Sequence, residues 1–253
     1  MAQRVLITAG AAGIGRAIAR AFLARGAAVF VCDVDQAALE TFANEAPAPT
    51  TFKADLSSRA ETEAMVKAAL DALGGLDVLV NNVGVAGPTA PVEAVDPDEW
   101  DRTLRINLTA PFDVTRLAVP HLKRSTSGVI INLASAAGRF GFANRSPYAA
   151  AKWGVVGFTK TLAIELGAFG IRANAILPGP VAGPRIERVL QARAARNRVS
   201  LEEATSAELA QQSIKQFIAP DDIAELAVFL ASDAAKTISG QALAIDGDKQ
   251  AMA

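Results

Sequence analysis

Residues 4–20 read Arg4-Val5-Leu6-Ile7-Thr8-Ala9-Gly10-Ala11-Ala12-Gly13-Ile14-Gly15-Arg16-Ala17-Ile18-Ala19-Arg20: a short aliphatic run, a glycine-rich break, and the start of a helical stretch over 14–25. The aliphatic run predicts a buried strand over 4–9, and the glycines turn it directly into a helix. Strand, tight turn and helix form the opening unit of a parallel sheet. Outward from it the same alternation continues. Further strands are expected at 28–33, 51–54, 77–81, 129–133, 172–177 and 243–245, separated by helices at 37–45, 59–73, 98–124, 147–167 and 221–231. Such a pattern predicts the α/β class, a doubly wound parallel sheet of about seven strands with helices on both faces.

With 253 residues, and no Pro/Ser-rich linker, internal repeat or low-complexity segment, the chain reads as one Rossmann-type domain over 1–253. The exception to the alternation is an Arg- and Ala-rich stretch over 179–215. It follows the sixth strand, where ligands of open α/β sheets bind, and is expected to be a lid over a substrate; a solvated helical excursion is the alternative. Hydrophobic residues at 51% against 20% charged exclude a disordered chain. Lys plus Arg number 25 and Asp plus Glu 26, a net charge of −1, so no broad positive field invites nucleic acid. No apolar run approaches the ~20 residues of a membrane span. The opening Met-Ala-Gln-Arg lacks the pattern of a secretory signal, so a cytoplasmic protein is expected. A single cysteine, Cys32, excludes an internal disulfide, and with a single histidine, His121, it leaves no metal-ligand cluster and no Ser/His/Asp chemistry.

Bare glycine amides at a strand-to-helix turn can approach a pyrophosphate and set it at the positive end of the helix, although glycines also serve merely to close tight turns. Asp33 ends the second strand 18 positions after Gly15. That is close to the ~20 expected for an acid that receives hydrogen bonds from an adenosine ribose. Its charge repels a 2′-phosphate, and neither Ala12 nor Val34 and Asp35 supplies a cation, so NAD is expected over NADP. Capping of the following helix is the alternative use of Asp33.

Farther along, Tyr148-Ala149-Ala150-Ala151-Lys152 opens a helix after Pro147, with phenol and ammonium one turn apart on the same face. Ser135 ends the strand Asn132-Leu133-Ala134-Ser135, 13 residues before the tyrosine. Tyr148 is also the only tyrosine in the chain. These elements, in this order, resemble the short-chain dehydrogenase/reductase family over nearly the whole length. The resemblance implies a catalytic set of Asn107, Ser135, Tyr148 and Lys152. It implies a cofactor held by Gly10, Gly13, Ile14 and Gly15 of the turn, by Asp33, Asp55 and Leu56 on the adenosine side, and by Asn82 and Gly84 of Asn81-Asn82-Val83-Gly84. Tyr148, Lys152, Pro178, Gly179 and Val181 complete that implied set beside the nicotinamide.

On this resemblance Tyr148 exchanges a proton with the substrate hydroxyl, Lys152 holds the nicotinamide ribose, Ser135 bonds the substrate oxygen and Asn107 supports a water relay. The implied activity is NAD-dependent interconversion of a secondary alcohol and a ketone, the substrate a small molecule and the assembly a homotetramer built on the helices over 98–124 and 147–167. A 3-oxoacyl thioester (acyl carrier protein) reductase and a catalytically silent NAD-binding regulator are the alternatives. Three positions depart from the family pattern: Ala9 replaces the first glycine of the turn, Val83 replaces an alanine, and Val181-Ala182-Gly183 lacks a threonine. Arg139, Phe140, Phe142 and Arg145 are expected to border the substrate, whereas Arg185, Arg188, Arg193, Arg196 and Arg198 are expected to be solvated, an anion-binding lid being the alternative.

Overall fold

Val5, Leu6 and Ile7 have no exposed surface, although their side chains alternate between the two faces of the sheet. Such two-sided burial follows when helices cover both faces. A computed structural model of the chain describes residues 2–252. Strands β1 (Arg4–Thr8), β2 (Ala28–Asp33), β3 (Thr50–Lys53), β4 (Val78–Asn81), β5 (Val129–Leu133), β6 (Arg172–Pro178) and β7 (Ala242–Ile245) form one parallel sheet in the order β3-β2-β1-β4-β5-β6-β7. The helices are α1 (Gly13–Leu23), α2 (Gln36–Ala43), α3 (Arg59–Leu73), α4 (Pro97–Leu104), α5 (Ala110–Leu122), α6 (Ser146–Gly167), α7 (Pro184–Asn197), α8 (Leu201–Leu209) and α9 (Pro220–Ala231).

On one face Val5, Ile7, Val31 and Val80 pack with Ile18 and Phe22 of α1 and with Ile223 and Leu230 of α9. On the other, Leu6, Phe30, Leu79 and Ile130 meet Met65 of α3, Val114 of α5 and Leu162 of α6. Each such buried side chain contributes about 1.5–3 kcal/mol. Strand order reverses between β1 and β4, so a crevice opens beyond their carboxyl ends, and that is where the glycine turn and Asn82 lie.

The helical stretch expected over 98–124 is found over 97–122, but it is not α-helical throughout. It runs as α4, a π-helical turn over Arg105–Thr109, and α5. Two residues account for the wider turn. Pro111 has no N–H to give to the carbonyl of residue 107, and the Asn107 amide donates to the Thr103 carbonyl at 2.9 Å in competition with the helix ladder. The stretch over 179–215 forms α7 and α8. Its base is pinned by a parallel bridge between Val181 and Ile218, with Ala182 N donating to Ile218 O and Ile218 N to Pro180 O, each 2.9 Å. Ser200 and Glu203 form a reciprocal cap that starts α8. No helix among the described residues is long and apolar enough to cross a membrane.

Candidate active site

The glycine turn hangs from the ends of β1 and β4. Thr8 Oγ1 accepts from the backbone N–H groups of Asn82 and Val83 at 3.0 and 3.1 Å, and the Asn82 amide donates to the carbonyls of Thr8 and Ala9. A Cβ on Gly15 would stand 2.3 Å from Ala9 O and 2.5 Å from Asn82 Nδ2, so only glycine lets α1 come this close. Space above Gly13 is open, and Ala12, Gly13 and Ile14 line the cleft. This is a cradle of bare backbone in front of a helix start, suited to a dinucleotide pyrophosphate. Ala9, in place of the family's glycine, adopts φ +49°, the left-handed conformation that glycine would take freely. The turn therefore keeps its path at a strain of about 1 kcal/mol.

Asp33 lines the cleft at the end of β2. Its carboxylate accepts from Ala11 N at 3.1 Å and Asp35 N at 3.2 Å, bracing the turn, and a carboxylate has lone pairs left for two ribose hydroxyls. The cap of α2 is Asp35, which accepts from Ala38 N, and not Asp33. Arg16, one turn into α1, is tied to Glu45 and lies over the Phe42 ring. Gly10 and Gly15 lie buried beneath the cradle, while Asp55, exposed, and Leu56, buried, are not among the cleft-lining residues. Val83 packs against the core on the α3 and α5 face. Cys32 is fully buried, and burial pushes its thiol up to about 12, so it is a neutral core side chain.

Ser135, Tyr148 and Lys152 converge in a cleft of about 420 Å³ together with Gly84, Pro178, Gly179 and Val181. Tyr148 stands in the first turn of α6, and Lys152 Nζ lies 5.8 Å from its ring centroid. Burial alone would raise the phenol. The Lys152 ammonium, the Arg185 guanidinium, the Ser135 hydroxyl and Arg145 together outweigh it, so the proton leaves below the ordinary tyrosine value. Burial likewise lowers Lys152, with the Tyr148 phenolate opposing and Arg185 assisting; its Nζ donates to Leu133 O at 2.8 Å. Ser135 Oγ accepts from Ala137 N, which leaves its O–H able to donate into the cleft. Asn107 lies behind this group with no exposed surface. Its Oδ1 accepts from Val85 N, and a Cβ on Gly84 would meet that oxygen at 2.8 Å and Lys152 Nζ at 3.5 Å.

Several contributors are not evident in the linear sequence. Asn81 donates to Asn132 Oδ1 and Thr115 Oγ1, and Asn132 to Thr159 Oγ1, a buried polar ladder that fixes β4, β5 and α6 against one another beneath the site. Only their shared register, Asn81 opposite Asn132, could have signalled it. At the far end Arg193, partly buried, lines the cleft contrary to the solvated reading, and Arg185, exposed as expected, lines it as well; Arg193 donates to Glu208 Oε2 at 2.5 Å, and the buried Lys249 donates to Glu208 Oε1 at 2.8 Å. Phe142 and Arg145 line the cleft as expected. Arg139 instead pairs with Asp246 at 2.9 Å, and Phe140 carries its guanidinium at 4.7 Å from the ring centroid.

Residues 9–247 match a family model described as enoyl-(acyl carrier protein) reductase. The chain is 41% identical, over 97% of its length and 96% of the relative's, to a D-beta-hydroxybutyrate dehydrogenase from Cupriavidus necator. It is 36% identical to a levodione reductase from Leifsonia aquatica, over 98% and 94%. Among solved structures, a variant of actinorhodin polyketide ketoreductase with NADPH superposes at a TM-score of 0.92 with 35% identity, covering 97% and 96% of the two chains.

Proposed function

The chain belongs to the short-chain dehydrogenase/reductase family, oxidoreductases here of secondary alcohols and ketones, and from that premise we propose an NAD-preferring dehydrogenase with Tyr148 as its acid and base. The observation that carries the reading is the lowered Tyr148 phenol, held beside Lys152 and Ser135 in one cleft. In oxidation Tyr148, as phenolate, takes the proton of the substrate hydroxyl; in reduction, as phenol, it returns one to the carbonyl oxygen. Ser135 donates to the same oxygen and steers it toward the phenol. Lys152 keeps the phenolate affordable in a buried place, and Asn107 shapes the polar path behind it. A nicotinamide dinucleotide, when bound, supplies the hydride acceptor or donor. Asp33 supports NAD over NADP, since its carboxylate faces the adenosine end and Arg16 is engaged by Glu45.

We read α7 and α8 as the substrate lid, the assembly as a tetramer and the protein as cytoplasmic. Support for the lid is its place over the cleft, where Pro184, Ile186 and Val189 join the lining. The test is a screen of secondary alcohols with NAD and with NADP, in the wild type and in Tyr148→Phe. Turnover with at least one alcohol class, faster with NAD, and its loss in the variant at an NAD affinity within about tenfold is the expected result. Undiminished turnover in Tyr148→Phe overturns the assignment.

A further inference from the structure

Beyond the tyrosine the cleft runs into a second cavity between the loop after β4, the segment before α6, and α7. Arg145, Arg185, Arg188, Arg193 and Arg196 all line it, and no acidic residue does. The two ends of the combined cleft thus have opposite character: Asp33 stands at one and five guanidinium groups at the other. Arg193 is paired with Glu208, which it shares with Lys249. Arg145 forms no ion pair with a carboxylate among the described residues, although only 7% of its surface is exposed. Its Nη2 donates to Ala86 O at 2.6 Å, and its buried Nε has no acceptor. Phe142 and Tyr148 hold the guanidinium between their rings, 5.2 and 5.3 Å from the centroids, which fixes where it points.

A buried cation with an unmet donor is costly unless an anion joins it. We propose that this cavity is a subsite for a compact oxyanion on the substrate tail, with Arg145 as its fixed ligand and Arg185 closing over it from α7. The substrate class is then a hydroxy or oxo acid whose reacting carbon sits at Tyr148 and whose anionic end reaches Arg145. Apolar stretches from Val85, Ala86 and Val189 border the path between them and suit methylene groups. Burial lowers the Arg145 guanidinium, with Arg185 and Arg193 adding to it and the Tyr148 phenolate opposing. The inference rests on the reading of the Tyr148 cleft as the site of hydride transfer.

Three ketones of matched skeleton test it: 5-oxohexanoate, 4-oxopentane-1-sulfonate and the neutral 5-oxohexanamide, each reduced with saturating reduced cofactor. The wild type is expected to favour the acids over the amide by about 30-fold in kcat/KM, the weight of one charge-assisted pair. If the carboxylate alone is favoured, the subsite selects planar anions; if both are, any compact oxyanion. Arg145→Met is expected to reduce the preference to about threefold or less, and the exposed Arg185→Met, which is safe for folding, to an intermediate value. Calorimetric binding of 5-oxohexanoate and its amide to the same proteins gives a readout that needs no turnover. Equal handling of acid and amide by the wild type, or a preference that survives both substitutions, overturns the subsite while leaving the dehydrogenase reading intact. Acid-selective binding without reduction of any ketone would instead uphold the subsite and overturn the hydride-transfer reading.

Discussion

Tyr148 has to be two things in turn, a phenolate that accepts a proton and a phenol that gives one, and free tyrosine at a pKa near ~10 is poor at the first. Burial works against the phenolate here, so the shift depends on Lys152 first and on Arg185 and Arg145 after it. Because no other tyrosine exists in the chain, the ultraviolet difference absorbance of phenolate reports this group alone. The expected midpoint lies below that of free tyrosine. Alcohol oxidation should rise with pH through that midpoint and level off above it, and ketone reduction should fall through the same midpoint, because the two directions use opposite protonation states. Removing a contributing cation, as in Arg185→Met, should move titration and rate profile upward together. A midpoint at or above the free value, or a rate profile that ignores it, would show that the cations do not act on the phenol. The phenol and ammonium were legible in the sequence from their spacing alone. Arg145, three positions before the tyrosine, was legible as a neighbour of the substrate; Arg185 was not, because it lies 37 positions away on a different helix and no local period reveals which way it faces.

At the scale of elements, strands were the most legible part. Each is short, aliphatic and followed by turn residues, and two-sided burial makes the run continuous, so β2 and β5 fall on the expected residues. The helical stretch over 98–124 was legible but its π turn was not, because hydrophobic period says nothing about which carbonyl an amide will take, and Asn107 and Pro111 together shift the ladder. That shift places Asn107 against Gly84 and behind Lys152, so the irregular turn belongs to the site. Likewise α7 and α8 were expected as an insertion, but their anchoring was not. It comes from Glu208, which links Arg193 of α7 to Lys249 beyond β7. Burial would raise the Glu208 carboxyl, and Lys249 and Arg193 together hold it below its ordinary range. Since the folded value lies below the unfolded one, this tether is at full strength above the unfolded carboxyl range and is lost as pH falls through the folded value. Glu208→Gln leaves the Lys249 ammonium buried without its anion, a local cost of about 3 kcal/mol. Amide exchange in α7 and α8 should then quicken by about 100-fold while that of β1 and β4 stays as it was. Unchanged exchange in α7 and α8 would mean that packing alone holds the lid.

For the molecule as a whole, the question left by the fold is why large apolar side chains stand exposed on the outer side of α6 beside Lys160 and Glu165. Trp153 and Ile164 are 50% and 83% exposed, and eleven residues bring a helix almost back to the same face, so the two stand in one line with Gly157 and Thr161 between them. Gly157 has nothing within 4 Å of where a Cβ would be, which leaves room for a neighbouring backbone. Phe112 on α5 adds an exposed ring beside this line, in edge contact with Phe158. Lys160 shares that face, and large exposed apolar side chains interleaved with charge suit a surface that is covered in an assembly. The inner side of the same helix carries Tyr148 and Lys152, so covering the outer side would stiffen the element that sets their spacing. For the tetramer proposed above, sedimentation at micromolar concentration should give a mass about four times 26.2 kDa. Ile164→Arg should shift it toward smaller species, because an unpaired charge would have to be buried in the contact. Activity should fall with it if association steadies α6. A wild type that sediments as a monomer would show that the apolar line has another use, and turnover that is indifferent to the assembly state would separate that line from the chemistry on the opposite face.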